Sequence, residues 1–368
     1  MLVGIVAGGR RRVRAAIEPC PPPAELAPIW RDLESRARQP PFFLSWDWLG
    51  AVVAALGRPH ALIKARLDDR VIGLALLGRR RGPLLDLLHT PSLHLNETGD
   101  PTRDAVMIEY NGILAERGLE AEATSACLDA LADSDGWREI HLSGVPPSVL
   151  NACRRTGLEV RLRRTHRAPF ADFNAMPAGD PLEALSRNSR QQIRRAIRLY
   201  EERGPLTVDR AATPEQATDW LDRLERFHTP YWQARGQPGA FANPHFRKLH
   251  RVLIESGFPA CDLMRVRAGE ADIGYLYNFR KAGWAYSYQS GFHYEEDERL
   301  KPGLVSHVLA MRLYRDMGLD GYRLLAGDSR YKNSLASGSD ELLWAVAHRR
   351  DLGHCLEGLA RRLLGRRA

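Results

Sequence analysis

Apolar and polar positions along this chain fall into two successive passes of the same kind. The first 20 or so residues read as a strand or arm, ended by Pro19 and Pro21-Pro-Pro23. Ile29, Trp30, Leu33 and Ala37 then recur at helical spacing behind Pro28, a residue suited to a first helical position. Pro40-Pro-Phe-Phe-Leu-Ser-Trp-Asp-Trp-Leu49 is a turn leading into a second helix, with Ser45 as its N-cap. Residues 60–66 and 71–77 are β-type runs joined across Asp68-Asp69 as a hairpin. A strand over 105–110, a helix over 120–132 and a strand over 139–142 complete the pass.

The second pass repeats that order. A basic helix over 186–203 leads to a strand at 206–209 and helices over 214–234 and 246–256. A hairpin of 261–267 and 273–280 turns on Gly269-Glu270, and a strand over 284–292 continues it. A helix over 303–316, a strand over 322–325 and a final helix carrying Leu352, Leu356, Leu359 and Leu363 on one face end the chain. The repetition predicts an α/β (α+β) protein of two tandem units with mixed sheets. The join is placed at 168/169, where Pro169, Pro177 and Gly179 cluster before Pro181.

Length and charge fit this picture. A chain of 368 residues suits two domains, and 44% hydrophobic residues suffice for two cores. A net charge of +8, mostly from arginine, favours acidic partners such as phosphates, RNA or an anionic surface. The five cysteines are scattered, with neither a Cys-x-x-Cys pair nor metal-ligand spacing, which implies reduced thiols in a cytoplasmic protein and no metal. The apolar start is followed by Arg10 to Arg12, the reverse of a signal peptide's order, and no apolar run approaches bilayer-spanning length.

Five segments together resemble one family. They are Pro41-Phe-Phe-Leu-Ser-Trp-Asp-Trp48, Asn188-Ser-Arg-Gln-Gln-Ile-Arg-Arg-Ala196, Tyr288-Gln-Ser-Gly-Phe292, Lys301-Pro-Gly303 and Gly327-Asp-Ser-Arg-Tyr-Lys332. The chain is similar to GNAT acyltransferases related to the Fem peptidyltransferases, in the branch called cellulose-biosynthesis or "acetyltransferase 6" type. The resemblance implies two tandem GNAT folds: a degenerate acceptor-side unit over 1–168, and a donor-side unit over 169–368 that keeps the donor site. Only Gly303 of that family's loop glycines is kept, and Leu300 stands where Gln or Arg is usual.

The candidate chemistry lies mostly in 286–332. Lys301, Gly303, Leu304 and Val305 open a helix after a strand. Unpaired amides and the helix dipole there suit a donor's pyrophosphate. Gly327-Asp-Ser-Arg-Tyr-Lys332 follows an apolar strand, at the end of the sheet where open α/β folds bind ligands. There Asp328 can orient or deprotonate an amine, Lys332 can stabilise an oxyanion, and Tyr331 can protonate a leaving thiolate. Gln289 is an amide on an apolar strand that needs a partner, and Tyr288 stands beside it on the other face. His228 and Trp232 share a helix ahead of Arg235-Gly-Gln-Pro-Gly239, a place to line an acyl or acceptor pocket. In the first half, Glu109 interrupts an apolar run. Burial would be costly unless it is paired or functional, so Glu109 and Asn111 are expected at the acceptor's ammonium group. Arg187, Arg190, Arg194 and Arg198 form a helical stripe able to meet phosphate. No Cys, Ser or Lys has the context of a covalent nucleophile.

These features predict direct transfer from acyl-CoA or acyl carrier protein to a small amine or amino-acid-like acceptor. Aminoacyl-tRNA as donor and a non-catalytic basic RNA-binding scaffold are the alternatives. No tightly bound cofactor is expected.

Overall fold

The structure is a computed structural model that describes residues 13–80, 92–176, 180–258 and 260–349. The helix predicted around 352–363, the apolar start with its arginines, and Pro177 and Gly179 of the predicted join lie outside the described residues. The chain begins β1 (Val13–Pro19), α1 (Pro23–Arg36), α2 (Trp46–Leu56), β2 (Ala61–Leu67), β3 (Arg70–Arg80) and β4 (Ser92–Leu95). It continues β5 (Leu114–Ala115), α3 (Glu120–Asp133), β6 (Glu139–Val145), α4 (Pro147–Arg155) and β7 (Glu159–Asp172). The second half runs α5 (Arg187–Glu201), β8 (Leu206–Arg210), α6 (Pro214–Gln233), α7 (Pro244–Gly257), β9 (Cys261–Ala268) and β10 (Ala271–Lys281). β11 (Trp284–Phe292), α8 (Pro302–Asp316), β12 (Gly321–Arg323), α9 (Arg330–Leu335) and β13 (Gly338–His348) end it.

All thirteen strands of the described residues join one mixed, mostly antiparallel sheet flanked by helices, in the order β1-β2-β3-β4-β6-β13-β7-β12-β11-β10-β9-β8, with β5 on β3. Only β4–β6 and β11–β12 are parallel among the described pairs. Each pass runs strand, two helices, three meandering strands, helix, parallel strand, short helix, strand. The last strand of each pass then crosses to the other half. β7 pairs with β12, β13 pairs with β6, and the two pair with each other from Gly338↔Phe170 to His348↔Glu159. Residue 168 lies inside β7.

An aromatic core ties the halves together. Phe42 stacks on Phe279 at 4.2 Å between centroids, Phe43 meets Trp48 edge-on at 5.0 Å, and Tyr288 packs on Phe279 at 4.8 Å. Each such ring, fully buried, contributes about 2–3 kcal/mol. Ser45 caps α2 by accepting from the Trp48 amide at 3.3 Å.

Four elements differ from expectation. α1 begins at Pro23, so Pro28 lies inside the helix. Residues 105–110 form no strand: Met107 and Tyr110 take φ of +56° and +48°, which breaks extended pairing. β7 runs through the predicted join, and its arginine-rich, mostly exposed half offers no apolar alternation to read. β13 stands where no element was expected, because its first residues are polar.

Candidate active site

The site exists because two strands part. β11 and β12 pair only from Trp284↔Gly321 to Tyr286↔Arg323. β12 then ends, and the chain turns away through Leu325 at φ +62° and Gly327 at φ +128°. β11 continues along β10 to Phe292, with a bulge that leaves Tyr288 as an extra residue between Ser287 and Gln289. A bulge bends its strand, which helps the pair to diverge. The β12-facing edge of residues 287–292 is left without a strand neighbour. The gap holds a cavity of about 650 Å³, walled by α6, α8, the 325–332 loop, and Met107 and Glu109 from the first half.

The amino end of α8 forms one wall. Lys301 precedes it at φ +47°, and Pro302 has no N–H, so the first-turn amides left are those of Gly303 and Leu304. Lys301, Gly303 and Leu304 line the cavity. A Cβ on Gly303 would stand 3.1 Å from the Phe292 ring. Val305, expected in the same donor group, does not line the cavity. It faces the opposite way, into a core cluster with Tyr200, Val266 and Leu300, because one further helical step rotates it by about 100°.

The opposite wall belongs to Glu109, which is 8% exposed. Its Oε2 accepts from the Ala326 amide at 2.7 Å, across the gap between the halves. Burial raises its pKa to about 7, against the opposing pull of that hydrogen bond and of Lys332. Two features hold the loop. Tyr110 donates to Asp340 at 3.1 Å and receives the Arg323 guanidinium over its ring at 4.6 Å. Gly144, at φ +62°, lets the loop pass so closely that a Cβ there would be 2.6 Å from the Ile108 carbonyl oxygen. Lys332 donates to the carbonyls of Leu325 (3.2 Å) and Ala326 (2.7 Å), leaving one N–H, and burial lowers its pKa. Asp328 accepts from the Asn333 amide at 2.7 Å. Tyr331 is 37% exposed; its hydroxyl pKa is pushed up to about 12 by burial, and its ring lies parallel to His307 at 5.4 Å.

Asn111 departs from expectation. It is buried, donates to the Leu95 carbonyl at 2.8 Å, and accepts from Asn96 and from the Gly112 amide. These bonds tie its side chain to the β4 end, and it does not line the cavity. Tyr288 lines the cavity but is chiefly core, with its hydroxyl donating to the Val106 carbonyl. Gln289 and His228 face the cavity and hydrogen-bond one another, while burial lowers the His228 pKa to about 4. Trp232 lines the rim at 39% exposure. The rim also holds Tyr231 and Arg235, from the helix-to-loop region the sequence marked, and Met107 and Tyr294, which it did not. His307 was missed as well; its signal was a histidine amid Val305, Val308 and Leu309. Of the arginine stripe, Arg190 and Arg194 are engaged by Glu183.

Residues 187–333 match the sequence profile of the acetyltransferase (GNAT) domain, which contains both α8 and the 325–332 loop. They are a GNAT domain. The match spans 147 of the 368 residues, and the matched domain carries the parted strands and most of the cavity. Comparison with curated proteins found no match. Among solved structures, FemX shares the fold at a TM-score of 0.62, with 12% identity over 92% of this chain and 98% of that one. The C-terminal domain of a putative lysylphosphatidylglycerol synthetase from Agrobacterium fabrum does so at 0.53, with 13% identity over 93% and 97%. L-PGS from Bacillus licheniformis does so at 0.50, with 11% identity over 95% and 98%. No helix among the described residues is long and apolar enough to cross a membrane.

Proposed function

We propose that this GNAT protein moves an acyl group from a thioester, acyl-CoA or acyl carrier protein, to an amine. Residues 1–168 would supply the acceptor side and residues 169–368 the donor side. The observation that carries the reading is the buried Glu109 carboxylate, held near neutrality in its proton affinity, opposite the open edge of β11 and the amino end of α8. Among the described residues, four of the five exposed large apolar side chains (Met107, Trp232, Tyr294 and Tyr331) stand at this cavity, which favours an apolar acyl or acceptor group. The four described cysteines are buried and unpaired, in keeping with a reducing cytoplasm.

The steps follow from proton affinities. A ligand ammonium gives one proton to Glu109, and the neutral amine attacks the thioester carbonyl. The N–C bond forms and the C–S bond breaks. The Tyr331 hydroxyl gives its proton to the leaving thiolate, and the second amine proton restores the hydroxyl. The oxyanion formed between these events has two sources of N–H: the remaining donor of Lys332 and the unpaired edge of β11. Gln289 and His228 would position the acceptor. Aminoacyl-tRNA remains the second donor, favoured by the loop's single glycine.

Gly303→Val tests the donor wall. Its side chain would fill the approach to two amides and press on Phe292, so acetyl-CoA affinity by calorimetry is expected to fall at least tenfold, by about 1.4 kcal/mol. Unchanged affinity would place the donor elsewhere. Native mass spectrometry with a panel of acyl-CoAs, acyl carrier protein and charged tRNA decides the carrier: binding of charged tRNA with no binding of either thioester would overturn the thioester reading.

A further inference from the structure

Beneath the cavity, four hydrogen bonds join five buried side chains. The Tyr314 hydroxyl is 3.0 Å from Asp262 Oδ2, Asn278 Nδ2 is 2.9 Å from the Tyr314 oxygen, and the Tyr322 hydroxyl is 3.3 Å from Asn278 Oδ1. His307 Nδ1 is 3.0 Å from the Tyr322 oxygen. Asp262, Asn278, Tyr314, Tyr322 and His307 are each 2% exposed or less. His307 lines the cavity, and its Nε2 is buried with no hydrogen-bond partner.

The direction of the chain follows from its far end. The Asp262 carboxylate sits between Arg210 at 2.8 Å and Arg280 at 3.1 Å and has only lone pairs to offer. Tyr314 must therefore donate to it, and the Tyr314 oxygen must accept from Asn278. That fixes the amide, placing Nδ2 at Tyr314 and Oδ1 at Tyr322. Tyr322 then donates to Oδ1, since the reverse would leave a buried acceptor unmade at a cost of about 1–3 kcal/mol. The Tyr322 oxygen is left to accept, so the proton of His307 resides on Nδ1. The opposite tautomer would also strand a buried N–H on Nε2, a rarer defect than a spare lone pair.

We propose that this chain fixes His307 as an acceptor-only group in the cavity, whose Nε2 takes a hydrogen bond from an amide N–H of the donor's pantetheine arm. This rests on the thioester reading given above. His307 is one helical turn inward from Gly303 and Leu304, so a ligand whose phosphates sit at those amides passes the imidazole on its way to Glu109. The pantetheine arm shared by CoA and acyl carrier protein carries two amide N–H groups. An aminoacyl ester at a tRNA terminus carries none in its place. Tyr331 lies parallel to the imidazole at 5.4 Å between ring centroids. Asp262, Tyr314, Asn278 and Tyr322 are positioning residues that act only through the histidine.

The test combines two measurements on the full chain. Nitrogen-15 NMR of the histidine rings reads the tautomer. His307 is expected as the Nδ1–H form throughout pH 5–8, and Tyr322→Phe is expected to release it into a mixture without unfolding. Calorimetry then compares CoA with adenosine 3′,5′-bisphosphate, which lacks the arm. His307→Leu is expected to weaken CoA about five- to tenfold, the weight of one buried neutral hydrogen bond, and to leave the bisphosphate unchanged. An Nε2–H tautomer in the wild type, or equal CoA affinity in His307→Leu, would overturn the proposal alone. Failure of the wild type to bind both CoA and a phosphopantetheine-bearing acyl carrier protein would overturn the thioester reading and this proposal with it.

Discussion

Glu109→Gln is expected to lower kcat/KM for amine acylation roughly 10²–10³-fold, the usual worth of a positioned general base. The amide keeps the shape and can still accept from the Ala326 N–H, so the loss reports the proton-accepting role and not a collapsed loop. The wild-type rate should rise with pH through about 7, where the carboxyl loses its proton, and that rise should be missing in the variant. The same substitution acts on stability with a definite sign. Burial raises the folded-state value from 4.5 to about 7, so the folded protein binds the proton more tightly than the unfolded chain. The resulting penalty is absent below about pH 4.5, grows as pH rises, and is complete above 7, where it reaches about 3 kcal/mol. Glu109→Gln should therefore gain stability over the wild type between pH 5 and pH 8 in urea unfolding. A variant with both unchanged turnover and a pH-independent stability difference would remove Glu109 from the mechanism and from burial alike.

Gly291→Ala is expected to destabilise the protein by about 3 kcal/mol, at the upper end for overpacking. A Cβ there would run into the Leu224 carbonyl oxygen of α6 and come within 3.1 Å of Phe227 Cβ. Helix backbone yields less readily than a side-chain tip, so strand and helix must separate. They are the two walls bridged by Gln289 and His228, so acceptor KM should rise alongside. A urea midpoint and KM equal to those of the wild type would show that β11 and α6 have slack that their contact distances do not provide.

Much of this architecture was readable because each helix–hairpin–strand pass keeps its own periodicity. Ser45 announced α2, Gly269-Glu270 announced the β9–β10 hairpin, and the strand–Pro-Gly–helix run at 284–316 announced the β11–α8 wall of the cavity. Glu109 stood out as a carboxyl in an apolar run, and it does line the cavity. Its neighbour Asn111 showed the same pattern yet is bonded into the β4 end, because a polar residue in an apolar run marks only a need for partners and not who they are. Val305 was misplaced by a single helical step. His307 could not be distinguished from a core histidine without Asp262, forty-five positions away, to orient its hydrogen bonds. β7 and β13 escaped because both draw their order from pairing partners far along the chain and not from local alternation.

The crossing of β7 and β13 between the halves also imposes a timetable on biosynthesis. When the ribosome has made β6 and β7, β6 has only β4 beside it, β7 still waits for β13, and β13 is the last strand of the described chain to emerge. At typical elongation rates that wait is roughly ten to forty seconds, during which a nascent chain presents two open strand edges. Among the described residues, β13 alone pairs with both. Completion of the N-terminal half is thus gated by synthesis of the C-terminal one, and two polysome neighbours that trade their last strands would emerge as an entwined pair.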